Sequence, residues 1–190
     1  MTFEDIKALD EQYVMHSYGR FSVAPDHGRG ATIWDVNGKE YIDFTAGIGV
    51  SSLGYAHEGW MKAVTGQAAK LAHISNLFYG EPYARAAQAL CTRTGMSNVM
   101  FGNSGAEANE AMIKLARKWS FDKYGKGRGT IITLHKSFHG RTVTTLRATG
   151  QDKYHKNFYP FPEGFRHADA NDMESLLSAA GDESRRPSGS

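Results

Sequence analysis

Two short stretches concentrate the side chains that could do chemistry. The first, Asn103-Ser104-Gly105-Ala106-Glu107-Ala108-Asn109-Glu110, begins with small residues and continues into a helical pattern. Small residues let the backbone come close to a ligand. A helix N-terminus offers free N–H groups and the positive end of the helix dipole to an anion. The second, His135-Lys136-Ser137-Phe138-His139-Gly140-Arg141, brings two imidazoles, an amine, an aromatic face and a guanidinium into seven positions. A guanidinium is a planar fork that matches a carboxylate or phosphate. Each residue also has an ordinary reading: Ser104 as a helix cap, Phe138 as a core aromatic, His139 as a loop histidine and Arg141 as a solvated charge.

Elements of the right kind flank both stretches. Asn98-Val99-Met100-Phe101 reads as a short buried strand, and Ala108, Ala111, Met112, Leu115, Ala116 and Trp119 recur at helical spacing after it. Lys126-Gly127-Arg128-Gly129 is a turn, and Thr130-Ile131-Ile132-Thr133-Leu134 is a β-rich run of the kind buried in a parallel sheet. Strand, helix and strand form a βαβ unit, so the predicted class is α/β with a parallel sheet. Ligands of such sheets bind at the carboxyl ends of the strands, where both stretches fall.

Upstream, Ile6, Leu9 and Tyr13 share one face of a first helix that Thr2 and Asp5 can cap. Asn37-Gly38 between Thr32–Val36 and Lys39–Phe44 is a hairpin signal. Thr45–Gly54 has three glycines and no period, as expected of a loop whose backbone passes close to something. A helix through Trp60, Met61, Val64, Ala68 and Leu71 and another from Pro82 to Gly95 follow. Asp172–Ala180 reads as a short helix.

Composition narrows the class. The 190 residues are 41% hydrophobic and 22% charged, with net charge +2, which argues against nucleic acid or an anionic membrane surface as partner. The uncharged run Phe44–Ala56 is Gly- and Ser-rich and short of a membrane span. The early charges Glu4, Asp5 and Lys7 do not suit a secretory signal. The single cysteine, Cys91, is read as a small buried hydrophobe. A cytoplasmic protein is expected.

Ser104-Gly105-Ala106-Glu107-Ala108-Asn109-Glu110 followed by Phe138-His139-Gly140-Arg141-Thr142 resembles the class III pyridoxal-phosphate aminotransferases, and within them the acetylornithine branch. Tyr41–Phe44, Gly54 and His57, Ser75–Tyr79 and Arg147-Ala148-Thr149-Gly150 extend the likeness. The resemblance implies part of a fold-type I transferase. It implies domains at 1–50 (helix and hairpin of the small domain), 51–180 (partial cofactor domain) and 181–190 (a disordered or foreign tail). It also implies pyridoxal 5'-phosphate as cofactor, with Ser104, Gly105 and Ala106 at the phosphate, Phe138 on the ring and His139 beside it, and Arg141 on a substrate carboxylate. Asn76–Tyr79 would approach a neighbouring subunit of a homodimer.

For the parent enzyme, the resemblance implies transfer of an amino group between N-acetylornithine, or a related acylated diamino acid, and 2-oxoglutarate in arginine biosynthesis. Ile48 stands where ornithine aminotransferases carry a tyrosine. Ser52, Tyr55 and Glu58 stand where asparagine, histidine and proline are usual. The family's Schiff-base lysine lies well downstream, in a Lys-Gly motif that follows an Asp-Glu-Val-Gln type strand; no such strand occurs here, Lys126-Gly127 belongs to a turn, and Lys136 is read as a surface residue. The chain alone is therefore expected to be inactive. Two alternatives stay open: a non-catalytic chain that pairs with full-length enzyme, and a binding module for another phosphorylated ligand.

Overall fold

Thr2 opens the first helix with a reciprocal cap: its N–H donates to Asp5 Oδ2 at 2.9 Å, and its hydroxyl accepts from Asp5 N at 3.2 Å. This computed structural model describes residues 1–181, so all but Gly181 of the expected tail lies outside the described residues. The chain divides into two compact units, one ending at Gly80 and the other beginning at Glu81.

The first unit contains α1 (Phe3–Tyr13), β1 (Pro25–Arg29), β2 (Thr32–Asp35), β3 (Glu40–Ile42) and α2 (Glu58–Lys70). The three strands form an antiparallel sheet in the order β1-β2-β3, and Thr32↔Ile42 and Trp34↔Glu40 set the register of the expected hairpin. Its loop is organised by Asp35, whose carboxylate accepts from Asn37 N, Lys39 N and the Tyr41 hydroxyl at 2.9–3.0 Å. β1 has no sequence signal, because Pro-Asp-His-Gly-Arg lacks both alternation and β-branched residues; it is a strand because β2 pairs with it.

The glycine-rich loop does pass close to backbone. A Cβ on Gly54 would lie 2.9–3.0 Å from the backbone of Gly30, and φ there is +79°. Asp43 pins the loop by accepting from Thr45 N (2.7 Å), Thr45 Oγ1 (2.6 Å) and Tyr55 Oη (2.7 Å). Those hydrogen bonds, the Thr45 hydroxyl's first among them, hold its carboxyl down at about 2.

The second unit contains α3 (Glu81–Thr94), α4 (Gly105–Tyr124), β4 (Ile131–Leu134), α5 (Val143–Ala148), β5 (Phe165–Ala168) and α6 (Met173–Ala180). β4 and β5 are parallel, with Ile131 opposite Phe165 and Leu134 opposite Ala168. A parallel sheet was the expectation, but its partners differ. Asn98–Phe101 belongs to no strand, Met100 is exposed, and the parallel neighbour of β4 is β5, reached through α5. An apolar run reports extension; it carries no information on which strand lies beside it. Ile113, Ala148 and Phe165 form the buried apolar cluster of the described residues, with Ile131 against it. Cys91 is half-buried rather than buried, on a helix α3 that has no buried residue.

Helix α4 meets its neighbours through an unexpected face. Met112 and Leu115 are each 61% exposed and Trp119 56%. The covered positions are Ala106, Asn109, Glu110, Ala111, Ile113, Arg117, Ser120 and Tyr124. Along this line Arg117 donates to the carbonyls of Gly129 (3.1 Å) and Glu163 (3.0 Å), and Ser120 to that of Arg128 (2.6 Å). The covered face thus combines these polar contacts with buried Ile113, and Met112, Leu115 and Trp119 stay exposed. Among the described residues no helix is long and apolar enough to cross a membrane.

Two pH effects follow. Asp43 is depressed when folded, so its contribution is present above the ordinary carboxyl range and is lost as pH falls through about 2. Denaturant midpoints of the chain should therefore drop between about pH 4 and pH 2, and Asp43→Asn should flatten that slope; an unchanged slope contradicts the assignment. The second effect centres on His167. Thr133 Oγ1 gives its proton to the Ala148 carbonyl (2.6 Å), so His167 Nδ1 must donate to Oγ1 (2.9 Å). Nε2 is then buried without a hydrogen or a partner among the described residues. Burial first, then Arg147, His135 and His155, lower its pKa, opposed by Asp152. Folding thus favours neutral His167, and stability falls as pH drops from the ordinary histidine value of 6.5 toward the folded one. An imidazole titration by NMR at or above 6.5 would refute this.

Candidate functional site

The N-terminus of α4 and the loop between β4 and α5 meet directly. Gly140 is the point of closest approach. Its φ is +131°, and a Cβ there would lie 2.7 Å from both Ala106 Cβ and Thr145 Oγ1. No L side chain suits that conformation, and none has room. Around this contact the loop is tied to the helix by side chains. Asn109 Nδ2 donates to the His139 carbonyl at 2.7 Å, and Thr142 Oγ1 donates to Glu110 Oε1 at 2.6 Å. From the other side, His139 N donates to Thr149 Oγ1 (2.9 Å), whose own hydrogen goes to the Thr145 carbonyl (3.0 Å). Thr145 and Thr149 are fully buried, so these hydrogen bonds are shielded from water.

Ser104 is the helix cap, with its hydroxyl accepting from Glu107 N at 3.2 Å. The Glu107 carboxylate is held by Asn103, accepting from both its backbone N–H and its side-chain amide. The amides of Gly105 and Ala106 begin the helix and take no part in its ladder. The Gly105 Cα faces open space, with nothing within 4 Å of where a Cβ would stand. The three expected phosphate residues thus differ: Ser104 holds the turn in shape, Gly105 borders open space, and Ala106 packs against Gly140.

Of the expected loop residues, Phe138 is 58% exposed. His139 is half-buried, with Nδ1 3.3 Å from Ser137 Oγ. The Arg141 guanidinium lies over the rings of Tyr154 and Phe138 at 4.3 and 5.6 Å. All six expected residues therefore belong to one surface of the second unit. Lys136 is exposed, with its N–H bonded to the Gly150 carbonyl at 2.6 Å.

Sequence reasoning missed Asn109, Thr142, Thr145, Thr149 and Tyr154. Asn109 could have been found, since it is one helical turn from Ala106 and a polar residue there needs a partner. Thr142-Val143-Thr144-Thr145 carries a capping signal, with Thr145 N donating to Thr142 Oγ1 at 3.3 Å. Tyr154 had no signal.

Comparison with known proteins agrees with the motifs. The sequence pattern of the family described as aminotransferase class-III matches residues 13–186. Acetylornithine aminotransferase of Haemophilus ducreyi is 54% identical over 93% of this chain and 45% of its own length. Succinylornithine transaminase/acetylornithine aminotransferase of Pseudomonas aeruginosa is 44% identical over 90% of this chain and 42% of its own. Ornithine aminotransferase of Toxoplasma gondii, whose structure shows partial occupancy of PLP at the active site, superposes with a TM-score of 0.88 at 33% identity. That match covers 95% of this chain and 43% of the other. The chain spans under half the length of each of these proteins.

The junction can be tested without any ligand. Gly140→Ala should destabilise the chain by about 1–3 kcal/mol, from the clash and the backbone strain together. Asn109→Ala should cost about 1 kcal/mol through the lost amide–carbonyl bond. Denaturant unfolding measures both, and a neutral Gly140→Ala rules out the close contact with Ala106.

Proposed function

This chain belongs to the class-III aminotransferases, and from that membership we propose that its second unit carries the phosphate- and carboxylate-binding half of a pyridoxal-phosphate site. The observation that carries the reading is the meeting of the α4 N-terminus with the Phe138–Arg141 loop at Gly140. When bound, pyridoxal 5'-phosphate supplies the electron sink that lets an amino group pass between carbon skeletons. The residues fit such a group, with open amides and open space at Gly105, an exposed aromatic face at Phe138 and a cation at Arg141.

Each residue then has a physical task. The Gly105 and Ala106 amides bind the phosphate dianion, aided by the helix dipole. Ser104 keeps those amides aimed by capping the helix. Phe138 covers one face of the ring and keeps water from it. His139, fixed through both of its backbone groups, holds the loop at the height of that ring. Arg141 orients the substrate by a fork-like pair with its carboxylate.

For the parent protein we propose transamination of N2-acetylornithine, or a related acylated diamino acid, with 2-oxoglutarate in arginine biosynthesis. The relatives' names support both the acetyl and the succinyl substrate. Ile48, in the position of the ornithine aminotransferases' tyrosine, suits an acylated amine better than a free amino acid. No lysine here follows an Asp-Glu-Val-Gln type strand, as the family's Schiff-base lysine does, so the 190-residue chain binds the cofactor without turnover. A homodimer, or pairing with full-length enzyme, is supported by the exposed Leu77, Phe78 and Tyr79 of the segment expected to reach a neighbour.

Mixing the purified chain with pyridoxal 5'-phosphate tests this. Binding should appear as quenching of tryptophan fluorescence, and Gly105→Asp, which sets a negative charge among the open amides without a clash, should weaken it at least tenfold. No glutamate should form from 2-oxoglutarate and N-acetylornithine. Steady glutamate formation would overturn the claim about the lysine, and tighter binding of simple nucleotides would favour the rival phosphate-binding module.

A further inference from the structure

Arg141 is held in an unusual way for a surface arginine. Among the described residues no carboxylate pairs with it, and Glu110, on the helix that meets its loop, accepts from Thr142 Oγ1 at 2.6 Å. Its guanidinium carbon lies 4.3 Å from the centroid of the Tyr154 ring, against 5.6 Å for Phe138, and attraction to a ring face is significant within about 6 Å. Tyr154 is thus the nearer of the two plates. A π face attracts the cation without engaging its N–H donors, so all five remain in the plane for an incoming ligand.

The plate is itself anchored. Tyr154 ends the 3-10 turn Asp152–Tyr154, and its N–H donates to the Gln151 carbonyl at 3.0 Å. The next residue, His155, is 4% exposed, with Nε2 3.0 Å from the Leu146 carbonyl and 2.8 Å from that of Thr149. Both atoms are acceptors, so Nε2 carries the hydrogen and secures the turn to the end of α5. On the other side, Gln151 Nε2 donates to the carbonyl of Ser137, directly before Phe138, at 3.1 Å. The ring is therefore fixed to the same loop that carries Arg141. Lys153 Nζ, 4.7 Å from that ring centroid, adds a second cation and with it a positive potential that favours an anion.

We propose that Tyr154 is a positioning residue, which stacks on Arg141 and holds its guanidinium as a preformed fork for the substrate carboxylate. This rests on the assignment of Arg141 to the carboxylate made above. A free arginine side chain surrenders rotamer freedom when it closes on a ligand, and one already held in plane surrenders less.

The test uses the full chain, Tyr154→Phe, Tyr154→Leu, and the side-chain Nε–Hε NMR signals of arginine, with Arg141 assigned by its absence in Arg141→Lys. In the wild type, the Arg141 signal should be shifted by the ring current and its order parameter should exceed that of exposed Arg93. Tyr154→Phe keeps the face and should retain both features, and its affinity for 2-oxoglutarate should stay within twofold. Tyr154→Leu should move the signal to the position of Arg93 and weaken 2-oxoglutarate at least fivefold, with far-UV circular dichroism unchanged. An Arg141 as mobile as Arg93 in the wild type overturns the proposal even if the leucine variant does not fold. So does a phenylalanine variant that loses as much as leucine. A wild-type Arg141 signal that shows stacking but that 2-oxoglutarate does not move overturns instead the carboxylate role given to Arg141.

Discussion

The hydrogen bond from Asn109 to the His139 carbonyl, beside the contact of Gly140 with Ala106, is the constraint on which the rest of the site depends. A helix N-terminus binds an anion only where its amides stay open, and an aromatic or cationic loop helps only if it stays at a fixed distance from them. Thirty residues separate Asn109 from His139, and one amide spans that separation. The absent Cβ at position 140 lets the two backbones approach, and the threonines at 142, 145 and 149 then satisfy the loop's polar groups from the far side. Each hydrogen bond is worth about 1 kcal/mol by itself. Together they leave the loop few alternatives, because any displacement would strand several buried polar atoms at once.

The local signals were the legible ones. The cap at Thr2, the Asn37-Gly38 hairpin and the starts of α2, α3, α4 and α6 are written in residues that lie within a few positions of one another. Their physics is equally short-ranged. The candidate site was legible for a related reason. Ser104-Gly105-Ala106 and Phe138–Arg141 are contiguous motifs whose residue types point to a charge or a ring. What stayed hidden was pairing. β1 is a strand because β2 lies beside it, and Asn98–Phe101, with a better apolar pattern, has no ladder. Tyr154 was hidden for the same reason: its meaning lies in the guanidinium above it, thirteen residues earlier in the sequence.

Helix α4 shows how far an apolar pattern can mislead about orientation. Met112, Leu115 and Trp119 make a stripe that periodicity assigns to a core, yet these side chains are more than half exposed. The covered face of the helix carries Ile113 and several polar side chains instead. Arg117 satisfies carbonyls of the Gly129 and Glu163 loops, Ser120 that of Arg128, and Asn109 that of His139. Each such hydrogen bond contributes about 1 kcal/mol.

The orientation of α4 also sets what its N-terminus meets. With Ile113 inward against Ala148 and Phe165, Asn109 and Ala106, one and two turns earlier on that face, lie against the Phe138–Arg141 loop. Gly105, next to Ala106 but about 100° around the helix axis, is left facing open space. That core contact therefore bears both on which residue seals the junction and on which faces open space. A change at position 113 that let α4 turn would move the helix N-terminus and the loop contact together. In this chain the packing of a single aliphatic residue and the orientation of the α4 N-terminus are the same degree of freedom.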